Sequence, residues 1–149
     1  MNDAKTALGQ KILGIKKQKK LTWTEIAAKL EHAPVWTCAA CLGQMSMTEA
    51  TAEKAGLLFG LSETEIALLQ EPPYRGSLPT AVPTDPLIYR FYELVMVYGT
   101  TWKELIHEEF GDGIMSAIDF DMTLERQPDQ KGDRVKIGMS GKFLPYKRY

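Results

Sequence analysis

The sequence predicts an α+β fold, with an all-helical N-terminal domain over residues 1–72 and a C-terminal domain over residues 73–149 built from a helix and a β-hairpin. Three observations predict it. The first seventy residues contain only helical patterns, most of them opened by a capping signal. An unusually apolar helix follows a segment rich in proline and glycine. Two segments of alternating polarity, joined by a polar turn, come near the end of the chain and indicate the hairpin.

Capping signals divide the N-terminal half into five short helices. Thr22 and Ser62 each begin a Ser/Thr-x-x-Glu capping box, in which the first side chain and the glutamate satisfy backbone N–H groups reciprocally. Pro34 suits the first position of a helix, and Gly60 suits the position after its last turn. The predicted helices cover residues 3–17, 22–30, 34–43, 48–59 and 62–70.

Helices two and three lie close together in sequence, as in a repressor-type helix-turn-helix domain, so a DNA-binding regulator is an alternative function. The candidate recognition helix, residues 34–42, has the sequence PVWTCAACL and offers no Arg, Lys, Asn or Gln to bases or phosphates. Residues 1–70 contain eight lysines against seven acidic residues, whereas specific DNA-binding surfaces are much more basic. We therefore expect the fold of a DNA-binding domain without a nucleic-acid partner.

Two cysteines, Cys38 and Cys41, form a C-x-x-C pair. A redox motif would follow a strand, and none is predicted there, while a zinc site would need two further ligands at suitable spacing. The remaining interpretation is that both are small apolar side chains on one buried helix face. Neither a metal nor a redox site is expected, and reduced thiols suit a cytoplasmic protein.

The composition excludes several other classes of protein. A net charge of −1 argues against a general polyanion binder. No apolar segment reaches the roughly 20 residues needed to span a membrane. The first twenty residues lack the apolar core of a secretory signal, so a cytoplasmic location is expected.

After the segment 71–83, Asp85 and Pro86 predict the start of a helix that is apolar on every side and should therefore be buried. Gly99 is predicted to end it. Thr101 opens a further capping box, which predicts a second helix ending at Gly111.

The only two charges in the first of these helices are Arg90 and Glu93, three residues apart and so on the same side. One interpretation is an intrahelical ion pair at the edge of the core. The other is a small anion site, in which the Arg90 guanidinium binds an oxyanion and Glu93 holds the guanidinium in place. Burial of an ion pair gains little stability over well-packed apolar residues, so its presence calls for another reason.

Ser116 is the one hydroxyl in a small apolar segment that follows flexible glycines. A serine in such a place is commonly a turn or cap residue. Near an anion, it could instead supply a hydroxyl and a backbone N–H as hydrogen-bond donors.

Two long, irregular segments, PTDPLIYRFYELVMVYGTT (residues 83–101) and HEEFGDGIMSAIDF (107–120), together with GKFLPYKRY at the end of the chain, closely resemble the cyanase (cyanate hydratase, or cyanate lyase) family. The resemblance extends more loosely over the N-terminal half. In that family, the arginine and glutamate of the YRFYE segment form the active site with the serine of GDGI-x-S. These correspond to Arg90, Glu93 and Ser116 as catalytic residues.

The resemblance implies an enzyme that reacts cyanate with bicarbonate to give carbamate and carbon dioxide, after which carbamate breaks down to ammonia and more carbon dioxide. It implies no metal or organic cofactor, bicarbonate being a co-substrate. It also implies a homodecamer of five dimers in a ring, with active sites built from several subunits.

The hairpin itself argues for a homodimer. Residues 119–126 and 134–140 alternate in polarity, and the polar turn 127–133 joins them. Residues 141–149 are left as a short aromatic and basic tail. Because an isolated two-stranded hairpin is marginally stable, we expect a second chain to cover its apolar face and its edges.

Overall fold

A computed structural model describes residues 3–149, and Met1 and Asn2 of the predicted N-terminal domain lie outside the described residues. The described residues form six helices and one two-stranded antiparallel hairpin, which confirms the α+β fold. In chain order the elements are α1 (Asp3–Gln18), α2 (Trp23–Leu30), α3 (Pro34–Cys41), α4 (Glu49–Phe59), α5 (Glu63–Gln70), α6 (Pro86–Phe110), β1 (Gly113–Gln127) and β2 (Arg134–Pro145).

The chain divides into two compact units, one up to Ser77 and one from Leu78 to Tyr149. In the first unit both predicted capping boxes form. The Thr22 hydroxyl accepts a hydrogen bond from the Glu25 backbone N–H at 3.2 Å, and the Glu25 carboxylate accepts one from the Thr22 N–H at 2.6 Å. Ser62 and Glu65 make the same reciprocal pair. These bonds satisfy N–H groups that the first turn of a helix leaves without partners.

One apolar core holds the five helices of this unit together. Its fully buried side chains include Ile12 of α1, Ile26 and Leu30 of α2, and Cys41 of α3. Around them pack the other buried members, Leu8, Ala40, Met47, Ala52, Ala55, Phe59 and Leu69. Because α3 turns Thr37, Ala40 and Cys41 into this core, one face of the would-be recognition helix serves packing.

The prediction of two helices separated at Gly99 is wrong, because α6 runs without interruption from Pro86 to Phe110. Gly99 does not adopt the positive φ of a helix-ending glycine. A glycine inside a helix costs only about 0.5–1 kcal/mol, which the hydrogen bonds of a continuing helix outweigh. The predicted cap at Asp85 is confirmed, since its carboxylate accepts from the N–H groups of Leu87 and Ile88 at 2.9 and 3.0 Å.

Both strands of the hairpin extend further from the turn than predicted. β1 begins at Gly113 rather than Asp119, and β2 continues to Pro145, so most of the predicted tail is strand. The two extensions pair with each other, Gly113 opposite Pro145 and Met115 opposite Phe143. A break in register separates this outer pairing from the inner one, and alternation across the break is lost.

The expectation that α6 is buried is not met within one chain, where no residue of α6 is buried. Its exposed apolar side chains are Leu87, Ile88, Phe91, Leu94, Val95, Met96, Val97, Tyr98, Trp102, Leu105 and Phe110. The sequence makes every side of α6 apolar, but the rest of the chain does not cover these sides. No helix within residues 3–149 combines the length and the apolar character that crossing a membrane requires.

Candidate active site

Arg90 and Glu93 lie one turn apart near the start of α6 and form an ion pair. The Arg90 Nη1 atom is 3.2 Å from the Glu93 Oε2 atom, and the Arg90 Nε–H donates to the Pro86 carbonyl at 3.3 Å. The guanidinium carbon also lies 5.1 Å from the centre of the Tyr89 ring. These contacts fix one side of the guanidinium, and the side chain remains 61% exposed. In the single chain the ion pair is therefore a surface pair, which contributes at most about 1 kcal/mol to stability.

Ser116 lies in β1 at the break in register and is buried, with 6% of its surface exposed. Its Oγ accepts hydrogen bonds from the backbone N–H groups of Ile118 at 3.0 Å and Asp119 at 2.9 Å. A serine hydroxyl has two lone pairs and one proton. Because both lone pairs accept hydrogen bonds, the side chain can make a further hydrogen bond only by donating its O–H. These local bonds to backbone N–H groups are typical of a turn serine, although Ser116 lies in a strand, and they leave the donor role open.

A single chain does not bring Ser116 to the ion pair. Arg90 lies twenty residues before the end of α6, a distance of about 30 Å along the helix axis at 1.5 Å per residue. The six residues from Phe110 to Ser116 could span at most about 21 Å even if fully extended back along the helix. Within residues 3–149 no hydrogen bond or ion pair joins Ser116 to Arg90 or Glu93. In the single chain the backbone of Ser116 therefore stays at least about 9 Å from that of Arg90, and no contact joins all three side chains.

A cavity of about 320 Å³ lies where α6 meets β1, but none of the three predicted residues lines it. Its polar lining residues include Lys103, His107, Asp112 and Tyr146. The His107 Nε2 atom is 3.3 Å from the Gly113 carbonyl oxygen, across the turn that joins the helix to the strand. This contact gives His107 a structural role at the junction of α6 and β1.

The structure fits the buried-residue interpretation of the cysteine pair fully at Cys41 and only in part at Cys38. Both thiols are free, Cys41 is buried and Cys38 is partly buried. Burial raises the pKa of the Cys41 thiol to about 12 and also raises the pKa of Cys38. Raised thiol pKa values are the opposite of what nucleophilic or redox cysteines require. Over residues 3–149, no group of three or more His, Cys, Asp or Glu side chains is placed to hold a metal ion.

Two family models match the chain and between them cover nearly all of it. The model described as the cyanate lyase C-terminal domain matches residues 80–148, and the model described as cyanate hydratase, N-terminal, matches residues 5–73.

The chain belongs to the cyanate lyase family.

Individual relatives agree with the cyanate lyase assignment. The chain is 67% identical over 132 residues to the cyanate hydratase of Ralstonia pickettii, covering 89% of this chain and 90% of that protein. It is 64% identical over 140 residues to the cyanate hydratase of Methylibium petroleiphilum, covering 94% and 95%. A crystal structure of cyanase from T. urticae superposes with a TM-score of 0.79 at 37% identity, covering 93% of this chain and 96% of that one.

Membership of the cyanate lyase family makes the chain an enzyme of the lyase class. The DNA-binding alternative is not favoured, in keeping with the absence of basic residues on α3. What the sequence analysis missed is the irregular backbone around Ser116. The only signal was that residues 114–118 do not alternate in polarity as the following segment does.

Proposed function

We propose that this chain catalyses the bicarbonate-dependent decomposition of cyanate to carbamate and carbon dioxide, with carbamate then breaking down to ammonia and carbon dioxide. The observation that carries the proposal is that a chain of this family contains both a partly exposed guanidinium, Arg90 held by Glu93, and a buried hydroxyl donor, Ser116. Relatives that are 59–67% identical bear the name cyanate hydratase, which supports cyanate as the substrate.

Arg90 has the role of binding and polarising the anions. Cyanate and bicarbonate are both negatively charged, so repulsion and lost entropy oppose their meeting in water. A fixed cation offsets the repulsion, and fixed geometry turns the encounter into an effectively unimolecular step. The guanidinium is suited to this because its planar set of N–H donors matches an oxyanion and its charge persists at any physiological pH.

Glu93 has the role of orienting Arg90. Its carboxylate, 3.2 Å from the Arg90 Nη1 atom, holds the guanidinium from one side and leaves its other donors for ligands. Removing the Glu93 charge would leave the guanidinium in place but free to rotate.

Ser116 has the role of a donor to an oxygen of the reacting anions. Two amide N–H groups already engage its oxygen, which lowers the basicity of that oxygen and strengthens the O–H as a donor. The same bonds make Ser116 a poor nucleophile, so no covalent intermediate on this serine is proposed. Cyanate, bicarbonate and one proton from solvent together have the composition of carbamate and carbon dioxide, so no cofactor is proposed and bicarbonate is a co-substrate.

The active form is proposed to be a homo-oligomer, a decamer of five dimers, with each site built from several chains. Support comes from the exposed apolar side chains of α6 and from Ile118, which is 98% exposed beside the buried Ser116. Apolar surface of this extent marks a protein interface. A cytoplasmic location is proposed as well, since both cysteines are free thiols.

The direct test is ammonia release from cyanate, with and without added bicarbonate, in buffer containing a metal chelator. Wild-type protein is expected to release ammonia only with bicarbonate and regardless of the chelator. Arg90→Ala is expected to lose at least about a hundredfold in kcat/KM, because the cation that offsets the repulsion between the anions is gone. Arg126→Ala, which removes another exposed arginine that pairs with Asp133, is the matched control and should keep full activity. No release from a folded, assembled wild-type protein would refute the proposal.

A further inference from the structure

The backbone that carries Ser116 forms a large bulge in the hairpin. Met115 pairs with Phe143 and Phe120 pairs with Gly141, so the four residues 116–119 of β1 lie opposite the single residue Lys142 of β2. The bonds from the Ile118 and Asp119 N–H groups to the Ser116 Oγ close this bulge from within. Bulges of this kind re-aim side chains and are common next to active sites.

Gly141 lies against the bulge from the opposite strand. A Cβ atom added there would overlap the Ser116 carbonyl oxygen and would lie 2.6 Å from the Met115 Cγ atom. Cβ atoms essentially never come within 3.0 Å of a non-bonded heavy atom, so something would have to shift. The carbonyl is backbone and cannot rotate away by itself. Gly141 is not among the glycines with positive φ, so the space beside Ser116, rather than backbone conformation, requires a glycine here.

We propose that Gly141 is a positioning residue for Ser116: by leaving room for the bulge, it sets where the Ser116 hydroxyl points. The inference rests on the proposed function, because it presumes that Ser116 donates to the reacting anions. A side chain at residue 141 would push the Ser116 carbonyl away from β2. The Oγ atom would move with the carbonyl, because both atoms belong to Ser116 and the two N–H groups that donate to Oγ belong to the same bulge. Displacements of about 1 Å can reduce a rate by about a hundredfold.

The first variant is Gly141→Ala, which adds one methyl group. We expect kcat for cyanate to fall between about tenfold and a hundredfold and KM to rise, with the oligomeric mass and secondary structure unchanged. The matched control is Gly138→Ala on the same strand. A Cβ there would meet the Thr123 Oγ1 atom at 2.8 Å, and that hydroxyl belongs to a side chain that can rotate away. Gly138→Ala should keep the kcat and KM of the wild type.

A double-mutant cycle separates positioning from a general structural effect. If Gly141 acts through Ser116, the loss caused by Gly141→Ala should disappear in a Ser116→Ala background, whose hydroxyl is already gone. If the methyl group merely damages the hairpin, the two losses should multiply. Multiplied losses would overturn the inference, as would a Gly141→Ala enzyme with the kcat and KM of the wild type.

A second variant with less steric overlap tests the inference if Gly141→Ala does not assemble. Combining Met115→Ala with Gly141→Ala removes the overlap with the Met115 side chain and keeps the overlap with the Ser116 carbonyl. This variant should assemble and show the same loss, again dependent on Ser116. Failure of both variants to fold would assign Gly141 a structural role and overturn the inference. A wild-type protein without cyanate-dependent ammonia release would refute the proposed function instead, which keeps the two failures distinct.

Discussion

Ser116 is the most constrained of the three candidate catalytic side chains. Its oxygen is buried and accepts two backbone N–H groups, so the orientation of the hydroxyl is set by the bulge. Arg90 and Glu93, by contrast, are 61% and 46% exposed and are held only by contacts within one helix. Ser116 is thus preorganised in the single chain, whereas the ion pair is not enclosed by it.

Replacing Ser116 by alanine measures how much its hydroxyl donor contributes to kcat. We expect Ser116→Ala to lower kcat by about a hundredfold to a thousandfold, the usual loss when a donor to a developing oxyanion is removed. Ser140→Ala is the matched control, since Ser140 is exposed on the other strand opposite Asp121. Steady-state kinetics with cyanate and saturating bicarbonate would measure both. A Ser116→Ala enzyme with full kcat would remove Ser116 from the site.

Cys41 gives the fold a predictable dependence on pH. Burial raises the pKa of its thiol from 9.0 to about 12, so the folded state holds this proton more tightly than the unfolded state does. The stability that this provides is complete below about pH 9 and is lost as the pH rises toward about 12. The free energy of unfolding should therefore fall by up to about 1.4 kcal/mol per pH unit midway between about pH 9 and 12, where the unfolded thiol has lost its proton and the folded thiol has not. Urea unfolding at several pH values would measure this slope, and Cys41→Ala should reduce it; equal slopes would contradict the assignment.

At the scale of elements, the features predicted correctly are those that depend on residues close together in the sequence. The capping boxes at Thr22 and Ser62 join residues three apart, so they could be predicted from spacing alone. The Arg90–Glu93 pair was likewise predicted from its spacing. The effect of Gly99 was predicted wrongly. A glycine can either end a helix or lie inside a continuing one, and its neighbours in sequence do not decide between the two. The bulge was missed because pairing with residues more than twenty positions away creates it. The role of Ser116 came from resemblance, not from spacing.

The Thr22 cap offers a test of these local interactions. We expect Thr22→Ala to lower the free energy of unfolding by about 1 kcal/mol, because it leaves an N–H of the first turn of α2 without its partner. Thr24→Ala makes the same substitution at an exposed position two residues further on and should change the free energy by less than about 0.5 kcal/mol. Denaturant unfolding followed by circular dichroism would compare them. Equal effects would mean that the cap does not stabilise the helix.

At the scale of the whole molecule, the exposed apolar surface of the second unit is what the single chain leaves unexplained. Every residue of α6 keeps some exposure, and Ile114, Leu124, Val135 and Met139 of the hairpin are exposed too. A helix with this sequence was predicted to be buried, and covering by other chains would reconcile the prediction with the structure. An interface between chains cannot be derived from the periodicity of one chain, because periodicity shows that a face is apolar and not what covers it.

Arg90 and Ser116 are proposed to act in one site although a single chain keeps them apart. The most direct measurement is the cyanate activity of mixed oligomers, made by unfolding and refolding Arg90→Ala and Ser116→Ala chains together. Each parent oligomer is expected to be nearly inactive, and the mixture should regain bicarbonate-dependent ammonia release well above both. Parents refolded separately and then combined provide the control. A mixture that assembles but stays as inactive as its parents would contradict a site shared between chains.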